Sequence, residues 1–200
     1  MKKFNSLFTT LFSEAKKEKT KTLYKGEYVE VVTPVDEVYE TLHEKNVIIV
    51  LPILIEKNGR NKIGIRHEHV PPYGMKDKKK RNYYTVLSGG IEKNEDPSKT
   101  MLRELKEESG IVPIGDVAIR TVTSDIPLCK STDMRAWIYF IEIGDHNVVE
   151  PEGDGSKSEA KSKMVWIDEL DIDKYLDRDD IDFLLFAMLN LYKMQYPYEV

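Results

Sequence analysis

Between Asn46 and Glu56 the chain is almost continuously apolar, running Val47-Ile48-Ile49-Val50-Leu51 and then Ile53-Leu54-Ile55. A run of this length without polar alternation reads as a strand buried on both faces. Asn58-Gly59 follows as a turn signal, and Lys62–His67 reads as the return strand. Further strands are expected over Tyr24–Val32, Asn82–Leu87, Val117–Thr123, Ala136–Ile143 and Met164–Ile167. Two helices interrupt them. Asp96-Pro97 carries N-cap and first-turn chemistry, so a helix is predicted over Pro97–Ser109, ending at Gly110. A strongly apolar closing helix is predicted over Asp179–Gln195. Pro71–Gly74 and the basic stretch Lys76–Arg81 read as a loop, and Glu150–Lys163 as a long Gly- and Ser-rich one. Strands alternating with few helices indicate an α/β (α+β) domain.

Composition narrows the possible roles. With 200 residues, 40% of them apolar, the chain suits one domain carrying an arm, divided here into 1–45 and 46–200. A net charge of −5 argues against a surface coated by nucleic acid while leaving room for a local basic patch. No run of 18 apolar residues exists, so no spanning helix is expected. The single cysteine, Cys129, permits neither an internal disulfide nor a cysteine-rich zinc site, which fits a reducing cytoplasmic location. Near the start, Phe4, Leu7, Phe8, Leu11 and Phe12 follow helical spacing. Polar residues break that stretch and no small-residue cleavage motif follows it, which argues against a secretory leader. It reads instead as a docking or dimerising helix, or as a disordered arm. The Lys-rich segment Lys16–Lys21 would connect it to the rest.

The helix from Pro97 to Ser109 concentrates charge. Glu104 and Glu108 are one turn apart, Glu107 sits beside them, and Arg103 flanks the strip. Met101, Leu102 and Leu105 take the other side, available for packing. Three carboxylates within five residues repel one another, a cost that hard divalent cations would offset. An ordinary solvated acidic face is the competing reading.

The wider spacing decides between them. Gly89, five residues, Glu95, seven residues, then Arg103-Glu104-Leu105-Lys106-Glu107-Glu108-Ser109-Gly110-Ile111 resembles the Nudix box, with nine specified positions matched over 23 residues. The resemblance implies a mixed sheet between helices and Mg²⁺- or Mn²⁺-dependent hydrolysis of a nucleoside diphosphate linked to another moiety. It further implies that Glu104, Glu107 and Glu108 hold the metal, with the backbone carbonyl of Ser88. Glu95 and Arg103 would fix loop against helix. Gly89 and Gly90 would let the backbone approach substrate.

Residues outside the box bear on the substrate. The 88 residues before Gly89 look like the ADP-ribose pyrophosphatase branch, whose arm often pairs two subunits, so a homodimer is expected. Pro127, 16 residues beyond Ile111, is similar to that branch's downstream proline. Its Pro-Ala-Gly entry to the box is here Leu87-Ser88-Gly89, a departure. The branch's general base lies on the loop before the last core strand, which offers Glu150, Glu152 and Glu159, the last best placed. Arg66 is the candidate phosphate contact, with a salt bridge as its alternative role. His67 and His69 lack a third nitrogen or sulfur ligand and read as ordinary strand residues. Tyr73, Tyr83 and Tyr84 offer rings for a purine, or are strand residues. The basic loop Lys76–Arg81 keeps RNA caps and dinucleoside polyphosphates in view as alternative substrates. A non-catalytic nucleotide-binding module is the third reading.

Overall fold

The stretch read as one strand over Tyr24–Val32 is a hairpin. In the computed structural model, which describes residues 20–26, 30–34, 40–57, 59–75, 81–151 and 162–196, β1 (Thr20–Lys25) runs antiparallel to β2 (Glu30–Pro34), with Lys25 opposite Glu30. Gly26 follows β1, and glycine weakens a continuous strand because it has no side chain to pack. β3 (Thr41–His43) pairs with the other edge of β2. The described residues up to Glu44 form one unit with Pro127–Met134. Within it Leu42 donates to the carbonyl of Ser131 at 2.8 Å, and the His43 ring bonds the Asp133 carboxylate. The apolar helical face from Phe4 to Phe12 lies outside the described residues.

Lys45–Ile126 and Arg135–Val200 make the second unit. Its strands are β4 (Val47–Ile55), β5 (Asn61–His69), β6 (Asn82–Thr85), β7 (Leu87–Gly90), β8 (Ile111–Pro113), β9 (Ala118–Pro127), β10 (Arg135–Ile143), β11 (His146–Val148) and β12 (Lys163–Asp168). The helices are α1 (Pro97–Ser109), α2 (Ile172–Leu176) and α3 (Phe183–Gln195). The sheet order is β12-β5-β4-β10-β9, with β6 added to β5 and β7 to β4. β10 runs parallel to β4, whereas β5 and β7 are antiparallel to it. β4 is therefore central, and Ile48, Ile49, Val50, Leu51 and Ile53 are wholly buried. Pro52 falls where β4 exchanges β7, paired up to Val50, for β5, paired from Ile53. Such a gap is where a central strand tolerates a missing N–H.

Alternation along β4 supplies two cores. Ile48 and Val50 face α1 and pack with Leu87, Met101, Leu105 and Ile141. On the other face Phe140 meets Tyr192 of α3 edge to face, with centroids 6.3 Å apart. Each buried aliphatic side chain contributes roughly 1.5–3 kcal/mol. Leu102, expected to pack, is exposed, because only Met101 and Leu105 point squarely at the sheet. The closing helix starts at Phe183 rather than Asp179. Residues 180–182 first run beside β6, where Tyr84 donates to the Asp180 carbonyl at 2.7 Å. Asp182 then caps the helix at the Leu185 N–H, 2.7 Å away. α2 and the short β3, β8 and β11 carry too little periodicity to be read from sequence. Among the described residues no helix is long and apolar enough to cross a membrane.

Gly110 ends α1 in the left-handed region at φ 71°. A Cβ there would lie 2.1 Å from the Val149 carbonyl oxygen, because β11 pairs with β8 directly after the helix. Gly110→Ala should therefore cost at least about 2 kcal/mol. A urea denaturation midpoint that does not fall would contradict this account of the junction.

Candidate active site

β7 delivers Ser88, Gly89 and Gly90 to the start of a loop that leads into α1. Ladder pairing of Gly89 with Ile48 and Ser88 with Ile49 fixes the strand. Asp96 then starts the helix by accepting from the Ser98 N–H at 2.9 Å. Gly89 is required by proximity: a Cβ on it would lie 2.0 Å from the Glu104 carboxyl carbon. The absent side chain lets the first acid of the strip lie directly on β7.

Arg103 organises what surrounds it. Its Nε and Nη2 donate to the two oxygens of Glu95 at 3.1 and 3.2 Å, and Nη2 also donates to the Gly90 carbonyl at 3.1 Å. Nη1 reaches Glu104 at 2.7 Å and Glu107 at 2.9 Å. One planar guanidinium thus joins loop, strand end and helix. The sequence placed Arg103 beside the acidic strip; the structure places it at its centre. Hydrogen bonding from Arg103 holds the Glu95 carboxyl at about 2, well below the ordinary range.

Glu108 lies in a different environment. Its side chain is 9% exposed, and Oε1 accepts from Arg66 Nη1 at 2.6 Å. Arg66 is itself buried on β5, so this is an interior pair and not a surface one. Oε2 of Glu108 and Nε of Arg66 are buried without a hydrogen-bond partner. Burial raises the Glu108 pKa; Arg66 opposes the shift, and Glu104 and Glu68 add to it. An orphaned oxygen on a crowded, desolvated carboxylate is a donor set that suits a hard divalent cation. As the side chains stand, Arg103 and Arg66 occupy these acids. Accordingly, no three His, Cys, Asp or Glu side chains among the described residues converge on an ion position.

Sequence reading missed Glu68. It lies two positions from Arg66 on the same strand, hence on the same face, and period-two alternation could have found it. Thr85, opposite Arg66 in register, donates its hydroxyl to Glu68. Asp182, approached from α3, and Tyr73 complete the rim of a cavity of about 360 Å³ that reaches Ser88. Only folding could bring Asp182 there.

Other candidates fall elsewhere. Pro127, the last residue of β9, is grouped with the first unit, whereas the box residues belong to the second. Glu150 is exposed just beyond Val149, whose N–H donates to Gly110 at 2.8 Å. Glu152 and Glu159 lie outside the described residues, as do residues 76–80 of the basic loop. His67 packs on Tyr84 with centroids 4.7 Å apart, and His69 meets Asn82 at 3.0 Å. Tyr84 also carries Arg178 over its ring at 4.7 Å, which leaves that face closed to a purine. Tyr73 and Tyr83 meet edge to face.

A strand end, a glycine-lined turn and a helix whose acids are braced by one arginine thus meet at a single corner. The NUDIX domain model matches residues 53–185, well over half of the chain, and the chain belongs to the Nudix hydrolase family. A solved structure described as an ADP compounds hydrolase superposes with a TM-score of 0.57 over 90% of this chain and 95% of its own, at 15% identity. At that identity the likeness is one of fold. No curated protein matches the sequence.

The Glu95–Arg103 pair gives a pH signature. A depressed carboxyl pKa contributes stability that is complete above the ordinary value and is lost as pH falls toward the folded value. The Tm difference between the wild type and Glu95→Gln should be constant above about pH 5 and shrink on acidification. An equal difference at pH 7 and pH 3 would rule the ion pair out as its source.

Proposed function

We propose that this chain hydrolyses the diphosphate bond of ADP-ribose or a related nucleoside diphosphate sugar, giving a nucleoside monophosphate and a sugar phosphate. The observation that carries the reading is the buried Glu108 carboxylate, with one oxygen unpartnered beside Glu104, on a helix matching the whole box. The fold shared with the ADP compounds hydrolase and the cavity beside Ser88, rimmed by Glu68 and Asp182, support the substrate class.

In this reading Glu104, Glu107 and Glu108, with the Ser88 carbonyl, would hold Mg²⁺ or Mn²⁺. The bound cation would neutralise the diphosphate and make water a stronger nucleophile. Glu95 and Arg103 keep the loop carrying Gly89 and Gly90 against the helix, so the acids are preorganised before substrate arrives. Arg66 holds Glu108 through its Nη1, and we keep Arg66 as the proposed phosphate contact on resemblance and on its planar donors. Water attacks one phosphorus, the bridging P–O bond breaks, and the sugar phosphate leaves with the bridging oxygen. Glu159 is proposed as the proton acceptor on resemblance alone, with Glu150 and Glu152 as its competitors; Pro127 is proposed to border the substrate on the same ground. Residues 1–45 are proposed as a dimerising arm of a cytoplasmic enzyme, and the exposed Phe183, Phe186 and Met194 on α3 offer further apolar surface to a second copy.

With Mg²⁺ and a panel of ADP-ribose, other nucleotide sugars, dinucleoside polyphosphates and capped RNA, turnover should be highest on a nucleotide sugar. Preference for capped RNA would reverse the ranking, and no turnover at all would favour a binding module. Glu108→Gln should lower kcat on the order of 10²–10³-fold, the range for one lost electrostatic stabiliser, with circular dichroism unchanged. A near-normal rate would refute its metal role. Gel filtration should report a dimer that dissociates when residues 1–20 are removed; a monomer in both cases would refute the pairing.

A further inference from the structure

The cavity bounded by β5, β6 and the start of α3 lies beside the acids without belonging to them. It is lined by Glu68, Tyr73, Thr85, Ser88, Asp182 and Leu184 among others, and no lysine or arginine contributes among its described lining residues. At about 360 Å³ it falls within the range of small-ligand pockets, roughly 300–1,000 Å³. Glu68 lines the cavity and acts electrostatically on both Glu108 and Asp182, so whatever fills the cavity lies close to the acids of the box.

Its polar groups are held in place by the fold. Asp182 is fixed as the cap of α3 through the Leu185 N–H. The Tyr73 hydroxyl donates to Asp182, and its ring rests edge-on against Tyr83 at 4.9 Å. Thr85 fixes Glu68. Burial raises the Asp182 pKa, the Leu185 N–H opposes the shift, and the neighbouring Glu68 carboxylate adds to it. Carboxylates accept hydrogen bonds from hydroxyl groups and repel phosphate oxygens, and among the described lining residues Glu68 and Asp182 supply such acceptors while His69 is the one basic side chain.

We infer that this cavity is the subsite for the hydroxyl-bearing group attached to the diphosphate, in which Asp182 and Tyr73 select an uncharged polyol and reject a further phosphate. The inference rests on the nucleotide-sugar reading and narrows it: discrimination against nucleoside triphosphates and dinucleoside polyphosphates arises from these two side chains.

The test uses the full chain with Mg²⁺, as wild type, Asp182→Asn and Tyr73→Phe. Asparagine caps a helix as well as aspartate does, and phenylalanine keeps the ring contact, so both variants preserve the fold. Substrates are ADP-ribose, an ADP alkyl ester lacking hydroxyls, and ATP. KM for ADP-ribose should rise roughly tenfold to a hundredfold in either variant, as for a lost charge-assisted hydrogen bond, with kcat little changed. KM for the alkyl ester should not move, and the preference of Asp182→Asn for ADP-ribose over ATP should narrow at least tenfold. Unchanged ADP-ribose KM in both folded variants would overturn the inference while leaving the nucleotide-sugar reading intact. Equal KM rises on ADP-ribose and the alkyl ester would also overturn it, by showing contact with the nucleoside half. Failure of the wild type to cleave any nucleotide sugar would defeat both the reading and the inference, and is recognised before any variant is compared.

Discussion

The second unit's chemistry depends on one guanidinium. Arg103 makes five hydrogen bonds, reaching Glu95, Gly90, Glu104 and Glu107. Without it Glu104 and Glu107 would repel each other uncompensated, and Glu95 and Gly90 would lose their tie to the helix. With it, the helix, the loop and β7 form one rigid corner, and Gly89 lets Glu104 settle onto the strand. Arginine suits the position because its planar donors address several oxygens at once, which an ammonium group cannot do in fixed geometry.

Glu108 shows the opposite balance. Arg66 satisfies one of its oxygens, yet burial still outweighs the pairing and leaves the other oxygen unpartnered. A buried ion pair of this kind contributes little to stability, since desolvation offsets most of the attraction. The cost is borne by a sheet whose central strand is buried from Ile48 to Ile53 and which has a helix on each face.

Legibility followed locality. α1 was readable to the residue, because Asp96, Pro97 and Gly110 act through backbone groups a few positions away. β4 was readable because a strand between two neighbours shows no alternation. The hairpin of β1 and β2 reads as one strand in the sequence, since its apolar residues flank a lone glycine, Gly26. α3 starts later than its apolar pattern implies, because Asp180 and Asp182 bond through their backbone to Tyr84 of distant β6. Among site residues, the box acids were visible from spacing, whereas Glu68 was passed over beside the more obvious Arg66.

The sequence by itself determined the helix of acids, the glycines at its two ends and the central strand, all of which rest on steric and hydrogen-bonding preferences acting within a few residues. Only the tertiary structure decided that Arg66 would meet Glu108, that Asp182 would close the rim beside Tyr73, and that Leu102 would be left in water. Those outcomes depend on desolvation and charge between segments up to about a hundred residues apart along the chain, and no local pattern encodes such distances.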